Sequence, residues 1–358
     1  MTAFYFSEIN SQICTTSRYA NCISSLLTIC TKKYIIYCMK GGLTMFKYVF
    51  RPSDKSLVVN LPDTLKFNFI FLQSIAELMY RIANTPCDTI YFRCGSVKLY
   101  ATLSKAYLYN IFEQISKRKK VFWSRVLRST ILTSVHSQQG ADFTPISDFG
   151  EAVFSQELNL YYFTGDVNIQ APITEISKLI VENNLAINPA DIKEFLSTTI
   201  GEIFSNSIIH SDQELTYFMY DIVYENQVFW LYVNIIDYGK TIIENVQSFL
   251  SRTHHTMMKG SDCLEWAIAY GNTTRDCSGG YGLPTLIQYI QNVNGELCIF
   301  SGNTYYHLEN RKTIIQETPN SCFYGTSVTF KIELLKTSDA IQYVASAHTI
   351  SSVSLENI

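Results

Sequence analysis

The stretch Ile200-Gly-Glu202-Ile-Phe-Ser-Asn206-Ser-Ile-Ile-His210 constrains the fold more than any other in the chain. It closes a helix-forming segment that can start near Asp191, after Asn188-Pro-Ala. Glu202, Asn206 and His210 recur every four residues and so fall along one face of a helix. Ile203, Phe204, Ile208 and Ile209 lie on the other faces and suit packing on a sheet. A carboxylate and an amide on an otherwise apolar helix are costly to bury without partners. Each taken alone reads as a polar helix face touching water. Taken together, one ligand would satisfy both: a metal ion carrying phosphate oxygens, with the carboxylate close enough to orient water.

Downstream, two strand candidates cover Glu214 to Tyr224 and Val228 to Ile236, and the second runs straight into Asp237-Tyr-Gly239-Lys240. An Asp ending a buried apolar strand is poised to accept a hydrogen bond deep in a pocket, and Gly239 allows a sharp turn beside it. About forty residues follow, holding one short helix, Cys263 to Tyr270. So long a connection in a compact domain is expected to be a functional lid or disordered. It ends in Ser278-Gly-Gly-Tyr-Gly-Leu283, just before a helix predicted from Pro284 to Val293. Glycines ahead of a helix N-terminus expose backbone N–H donors that favour an anion. Strands are predicted at Glu296–Phe300, Tyr305–Leu308 and Thr313–Gln316, and the strictly alternating Gly325–Glu333 closes the domain.

The first half alternates strand and helix. Ser56–Asn60, Thr89–Cys94 and Val121–Trp123 read as strands, while 67–83 and 101–116 carry apolar residues at helical spacing. This order implies a small α/β layer domain over 45–128. Residues 1–44 sustain no hydrophobic period and read as an extension with little structure of its own. Residues 129–160 read as a linker, 161–335 as the second domain and 336–358 as a loose tail. With 47 % hydrophobic and 16 % charged residues over 358 positions, the chain has material for two cores. A net charge of −3 gives no global argument for nucleic acid. Lys117-Arg-Lys-Lys120 with Arg125 and Arg128 reads as a solvated helix end rather than a nucleic-acid patch. His136 stands among polar residues and reads as surface.

No membrane-spanning stretch or secretory signal is evident, because Lys32 and Lys33 break the most apolar early run. The ten cysteines include no C-x-x-C pair, so free thiols in a reducing cytoplasm are expected and no zinc site is predicted.

Four boxes in order, over about residues 165–335, resemble the GHKL ATPase superfamily and its Bergerat fold. Glu202-x3-Asn206-x3-His210 is similar to the family's N box, and Asp237-x-Gly239 to its first glycine box. Gly280-Tyr-Gly282-Leu283 resembles the second box and Gly325-Thr326 the third. Within the superfamily, histidine-kinase-like and anti-sigma-factor-type ATP-binding proteins look closest. The order and size of elements in 45–128 resemble STAS-like domains.

The fold implied is thus α/β: a small STAS-like domain followed by a two-layer α/β sandwich. The implied cofactors are ATP and Mg²⁺, with Asn206 as the metal ligand and Glu202 as general base. Asp237 would take the adenine amino group with help from Thr326, and Gly280, Gly282 and Leu283 would line the phosphates. His210, Lys240 and Arg275 are implied as phosphate or lid contacts. The function implied is binding and slow hydrolysis of ATP to regulate a protein partner, with a homodimer suggested by analogy. An anti-sigma-type Ser/Thr kinase and a non-catalytic ATP-dependent scaffold stay open. One position departs from the family. Thr241 stands where a second glycine is usual, which implies a stiffer lid hinge and slow turnover. No phospho-accepting His on a dimerisation helix precedes the boxes, which argues against a sensor kinase.

Overall fold

The computed structural model describes residues 26–31, 34–39, 45–95, 101–131, 143–145, 160–164, 170–183, 185–186, 189–212, 215–253, 256–274 and 279–336. Most of the expected linker, the tail beyond 336, His136 and Arg275 lie outside them. The chain divides into two units, Met1–Phe154 and Ser155–Ile358. It is mixed α/β throughout, with eight helices and two seven-stranded sheets among the described residues. None of those helices is long and apolar enough to cross a membrane.

In the first unit seven strands lie in sequence order. They are β1 (Leu26–Thr31), β2 (Tyr34–Met39), β3 (Lys47–Arg51), β4 (Ser56–Leu61), β5 (Thr89–Cys94), β6 (Lys120–Ser124) and β7 (Phe143–Pro145). The first two form an antiparallel hairpin within 1–44, and β2 pairs onto β3. Strands β4, β5 and β6 are parallel, which requires crossovers. Helix α1 (Phe69–Asn84) supplies one and α2 (Thr102–Ser116) the other, and α3 (Arg125–Ile131) follows β6. The near-continuous burial of Ser56–Leu61 fits a strand covered on both faces. Asn68 caps α1, its side chain accepting from the Phe71 amide at 3.0 Å. Phe92 stacks on Phe112 at 4.0 Å, with Trp123 packed edge-on against Phe112.

In the second unit the sheet is wholly antiparallel. Its strands are β8 (Leu160–Thr164), β9 (Leu215–Glu225), β10 (Val228–Asp237), β11 (Glu296–Gly302), β12 (Thr304–Glu309), β13 (Lys312–Glu317) and β14 (Phe323–Lys336). They run in the order β13-β12-β11-β14-β10-β9-β8. Two tight hairpins set the register. Asn226 and Gln227 turn β9 into β10 and Asn310 and Arg311 turn β12 into β13, all four with positive φ, as primed turns require.

Helices α4 (Gln170–Glu182), α5 (Pro189–Ser211), α6 (Ile242–Arg252), α7 (Gly260–Ile268) and α8 (Gly282–Asn292) complete the unit. Alternate residues of the strands, such as Phe218, Leu231, Val233, Ile299 and Phe330, form one core with Leu196, Ile203, Val246, Leu264 and Leu286 of the helices. Helix α6 corrects the reading of 240–279 as a connection with a single short helix. Thr241 accepts from the Glu244 amide at 3.1 Å, and the Glu244 carboxylate accepts in return from the Thr241 amide at 2.7 Å. That reciprocal cap satisfies two otherwise orphaned donors and starts the helix. Helix α4 and strand β8 were also absent from the sequence reading.

Candidate functional site

The helix face of the second sheet is apolar until its last row. There Thr216 (β9), Asp237 (β10), Thr326 (β14) and Ser301 (β11) stand side by side in register. All four are buried. Asp237 is only 3 % exposed, yet no cation among the described residues pairs with it. Burial pushes its carboxyl up to about 7. Hydrogen bonds from the Gly239 and Thr326 amides and from the Ser207 side chain pull the other way. The Gly239 amide is 3.1 Å from Oδ1. Next along the row, the Ser301 and Thr326 hydroxyls meet at 3.0 Å, and Ser301 Oγ accepts from the first amide of α6, Ile242, at 2.8 Å. The Thr216 hydroxyl is buried without a hydrogen-bond partner among the described residues.

The two glycine turns beside this row have steric reasons. A Cβ on Gly325, which sits at φ +123°, would overlap the Asp237 carbonyl. One on Gly239 would overlap the carbonyl of Ser211 at the end of α5. Gly239 therefore lets β10 pass close under that helix, and the Lys240 amide donates to the same Ser211 carbonyl at 2.8 Å.

The other end of the site is where α8 begins. A Cβ on Gly282, the first residue of α8, would stand 2.9 Å from the Glu202 Cβ and 3.6 Å from Asn206 Nδ2. The helix N-terminus is thus seated directly against the polar stripe of α5. No side chain caps it: Tyr281 at the cap position makes no such hydrogen bond. Its first two amides, of Gly282 and Leu283, have no partner within the helix. Pro284 in the first turn removes no helical hydrogen bond. Gly280 takes φ +80° where a Cβ would overlap Asn272, and the Gly271 amide donates to its carbonyl at 3.1 Å.

Between the two ends lies one pocket with about 890 Å³ of empty space, part of it open to solvent. Glu202, Asn206, His210, Asp237, Lys240, Gly280, Gly282, Leu283 and Thr326 all line it. Of the residues singled out in the sequence, Gly239 stays behind the wall and Arg275 lies outside the described residues. Lys240 is exposed at the rim and ion-paired with Asp212. Glu202 is exposed, while Asn206 and His210 are half-buried.

Sequence reasoning missed Ser207, Asn245, Trp266 and Asn272, which also line the pocket. Asn245 reaches from α6 to the His210 carbonyl at 2.9 Å, and Asn272 Nδ2 donates to the Trp266 carbonyl at 2.9 Å. The Thr241-x-x-Glu244 capping pattern could have exposed α6, and with it Asn245. Ile203, Ile242, Val246, Trp266 and Leu283 give the pocket apolar walls. No protein-family model and no curated protein sequence matches the chain.

Proposed function

We propose that the second unit is an Mg²⁺-dependent ATP-binding module of the GHKL type, with a Bergerat-type sandwich. In this reading it binds ATP, hydrolyses it slowly and so regulates a protein partner in the cytoplasm, and the first unit is its STAS-like companion. The observation that carries the reading is the pairing of opposites in one pocket. A buried, cation-free Asp237 lies at the floor, and the uncapped start of α8 lies against Glu202 and Asn206 at the other end.

An acceptor at the floor suits the exocyclic amino group of adenine, and unpaired amides at a helix start suit phosphate oxygens. Asn206 and Glu202 offer the hard oxygen donors that magnesium takes, beside the amides that would hold the phosphates. The residues therefore fit the ion. When bound, it would neutralise phosphate charge, and Glu202 would take a proton from the attacking water.

The Thr241 cap favours slow turnover, because the reciprocal Thr241–Glu244 bonds fix the start of α6 where a glycine would let it swing. The test is thermal melting with ATP, ADP or GTP, each with and without Mg²⁺. Adenine nucleotides should raise the melting temperature and GTP should not, with Mg²⁺ enlarging the ATP shift. A flat response to ATP and Mg²⁺ would end the proposal.

A further inference from the structure

On the opposite face of the second sheet from the nucleotide pocket, Glu296, Cys298 and His307 converge. Cys298 and His307 sit directly opposite each other on β11 and β12, and Glu296 projects from the same face of β11 two residues earlier. One ligand-type atom from each side chain lies within 4.8 Å of the other two. Glu296 Oε1 is 3.1 Å from His307 Nε2 and 3.9 Å from Cys298 Sγ. In a tetrahedral zinc site, bonds of about 2.3 Å to sulfur and about 2.0–2.1 Å to nitrogen or oxygen put ligand atoms roughly 3.3–3.6 Å apart. The two separations from Glu296 are near those values, and the Cys298–His307 pair, within 4.8 Å, closes by up to about 1.2 Å to meet one ion.

We propose that Glu296, Cys298 and His307 form a site for a zinc-class divalent cation, with water completing the coordination. The donor set points to that class, since one thiolate, one imidazole and one carboxylate suit zinc rather than magnesium or calcium.

The surroundings support it. The second carboxylate oxygen, Oε2, faces Lys331 Nζ at 3.9 Å, which leaves Oε1 directed at the thiol and the imidazole. Lys331 is itself held over the rings of Trp230 and Tyr232. It acts as the outer partner that orients a ligating carboxylate. Cys298 is buried, with its sulfur beside the Glu296 carboxylate. On binding, the Cys298 proton leaves to solvent and the thiolate ligates. Glu296 and His307 keep 17 % and 11 % of their side chains exposed, enough for an ion to enter.

The test uses the full chain, stripped with a chelator and titrated with Co²⁺ as a spectroscopic stand-in. The expected result is one Co²⁺ per chain, a near-ultraviolet thiolate-to-cobalt charge-transfer band, and its loss on adding equimolar Zn²⁺. Cys298→Ser should abolish the band, and His307→Gln should weaken Co²⁺ binding at least tenfold to 100-fold. No stoichiometric band overturns the proposal, as does a band that survives in Cys298→Ser, which would belong to another of the ten cysteines. If circular dichroism shows that Cys298→Ser does not fold, His307→Gln decides: unchanged Co²⁺ affinity there means the cluster is an ion-pair ladder only.

Discussion

Among the described residues each unit buries one carboxylate, and the two are treated in opposite ways. Glu77 on α1 is 7 % exposed and meets Arg81 Nε at 2.5 Å, one helical turn away. Arg81 in turn lies 4.8 Å from the Tyr48 ring centre. Asp237 in the second unit is buried more deeply and has dipoles around it but no countercharge. The first arrangement is self-sufficient and locks a helix to its sheet. The second is left incomplete by the protein alone, and incompletely compensated buried charges concentrate where ligands bind. The contrast teaches that burial of a charge does not by itself mark a site; the absence of its partner does.

The largest effect should come from breaking the paired carboxylate. Glu77→Ala takes the carboxylate at 2.5 Å away from the largely buried Arg81 and should lower stability by about 3–5 kcal/mol, read by denaturant unfolding. Asp237→Asn should not destabilise the apo protein in that way. It should instead weaken ATP binding by about 2–3 kcal/mol, or roughly 30- to 150-fold in calorimetry, because it turns a charged acceptor into a neutral group. A similar stability loss in both variants, with ATP binding intact in the second, would erase the distinction.

The pH response sharpens it further. Asp237 holds its proton up to about pH 7 when folded, but only to about pH 4 when unfolded. Its contribution to apo stability therefore falls as pH rises from about 4 to about 7, by at most about 1.4 kcal/mol per pH unit. The melting temperature of Asp237→Asn relative to the native chain should rise over that window and level off above it. ATP affinity should run the other way and strengthen through about pH 7 as the acceptor ionises. The smallest effect is expected from Thr241→Gly. It should cost a few tenths of a kcal/mol in stability, while raising the steady-state rate of phosphate release from ATP.

The second unit was more legible in the sequence than its connections were. The polar stripe of α5 and the Asp ending β10 stand out because each breaks an apolar pattern locally, and the structure brings both to one pocket. Helix α6 escaped notice because only Ile243, Val246 and Leu250 are buried on it. So sparse a stripe is outweighed by the polar residues around it unless the cap is recognised first. Ser207 shares α5 with the stripe but faces the sheet, and its bond to Asp237 joins residues thirty positions apart. The Glu296–Cys298–His307 cluster is invisible to a search for closely spaced cysteines. It depends on strand register, which the Gly302-Asn303 turn sets when it folds β12 back onto β11. In the first unit the strand and helix order was readable from periodicity, whereas the pairing of Leu26–Thr31 with Tyr34–Met39 was not.

The hydrogen bond from the Gly271 amide to the Gly280 carbonyl has an effect beyond local geometry. It works as a staple across the neck of a loop whose described residues, Asn272, Thr273, Thr274 and Gly279, line the pocket. Extra residues inserted inside the neck would cost only loop-closure entropy, about 0.6 kcal/mol for each doubling of length. The wall at Gly280 and the start of α8 would keep their positions. Relatives of this chain can therefore differ in the length of this loop while keeping the pocket wall at Gly280 and the start of α8.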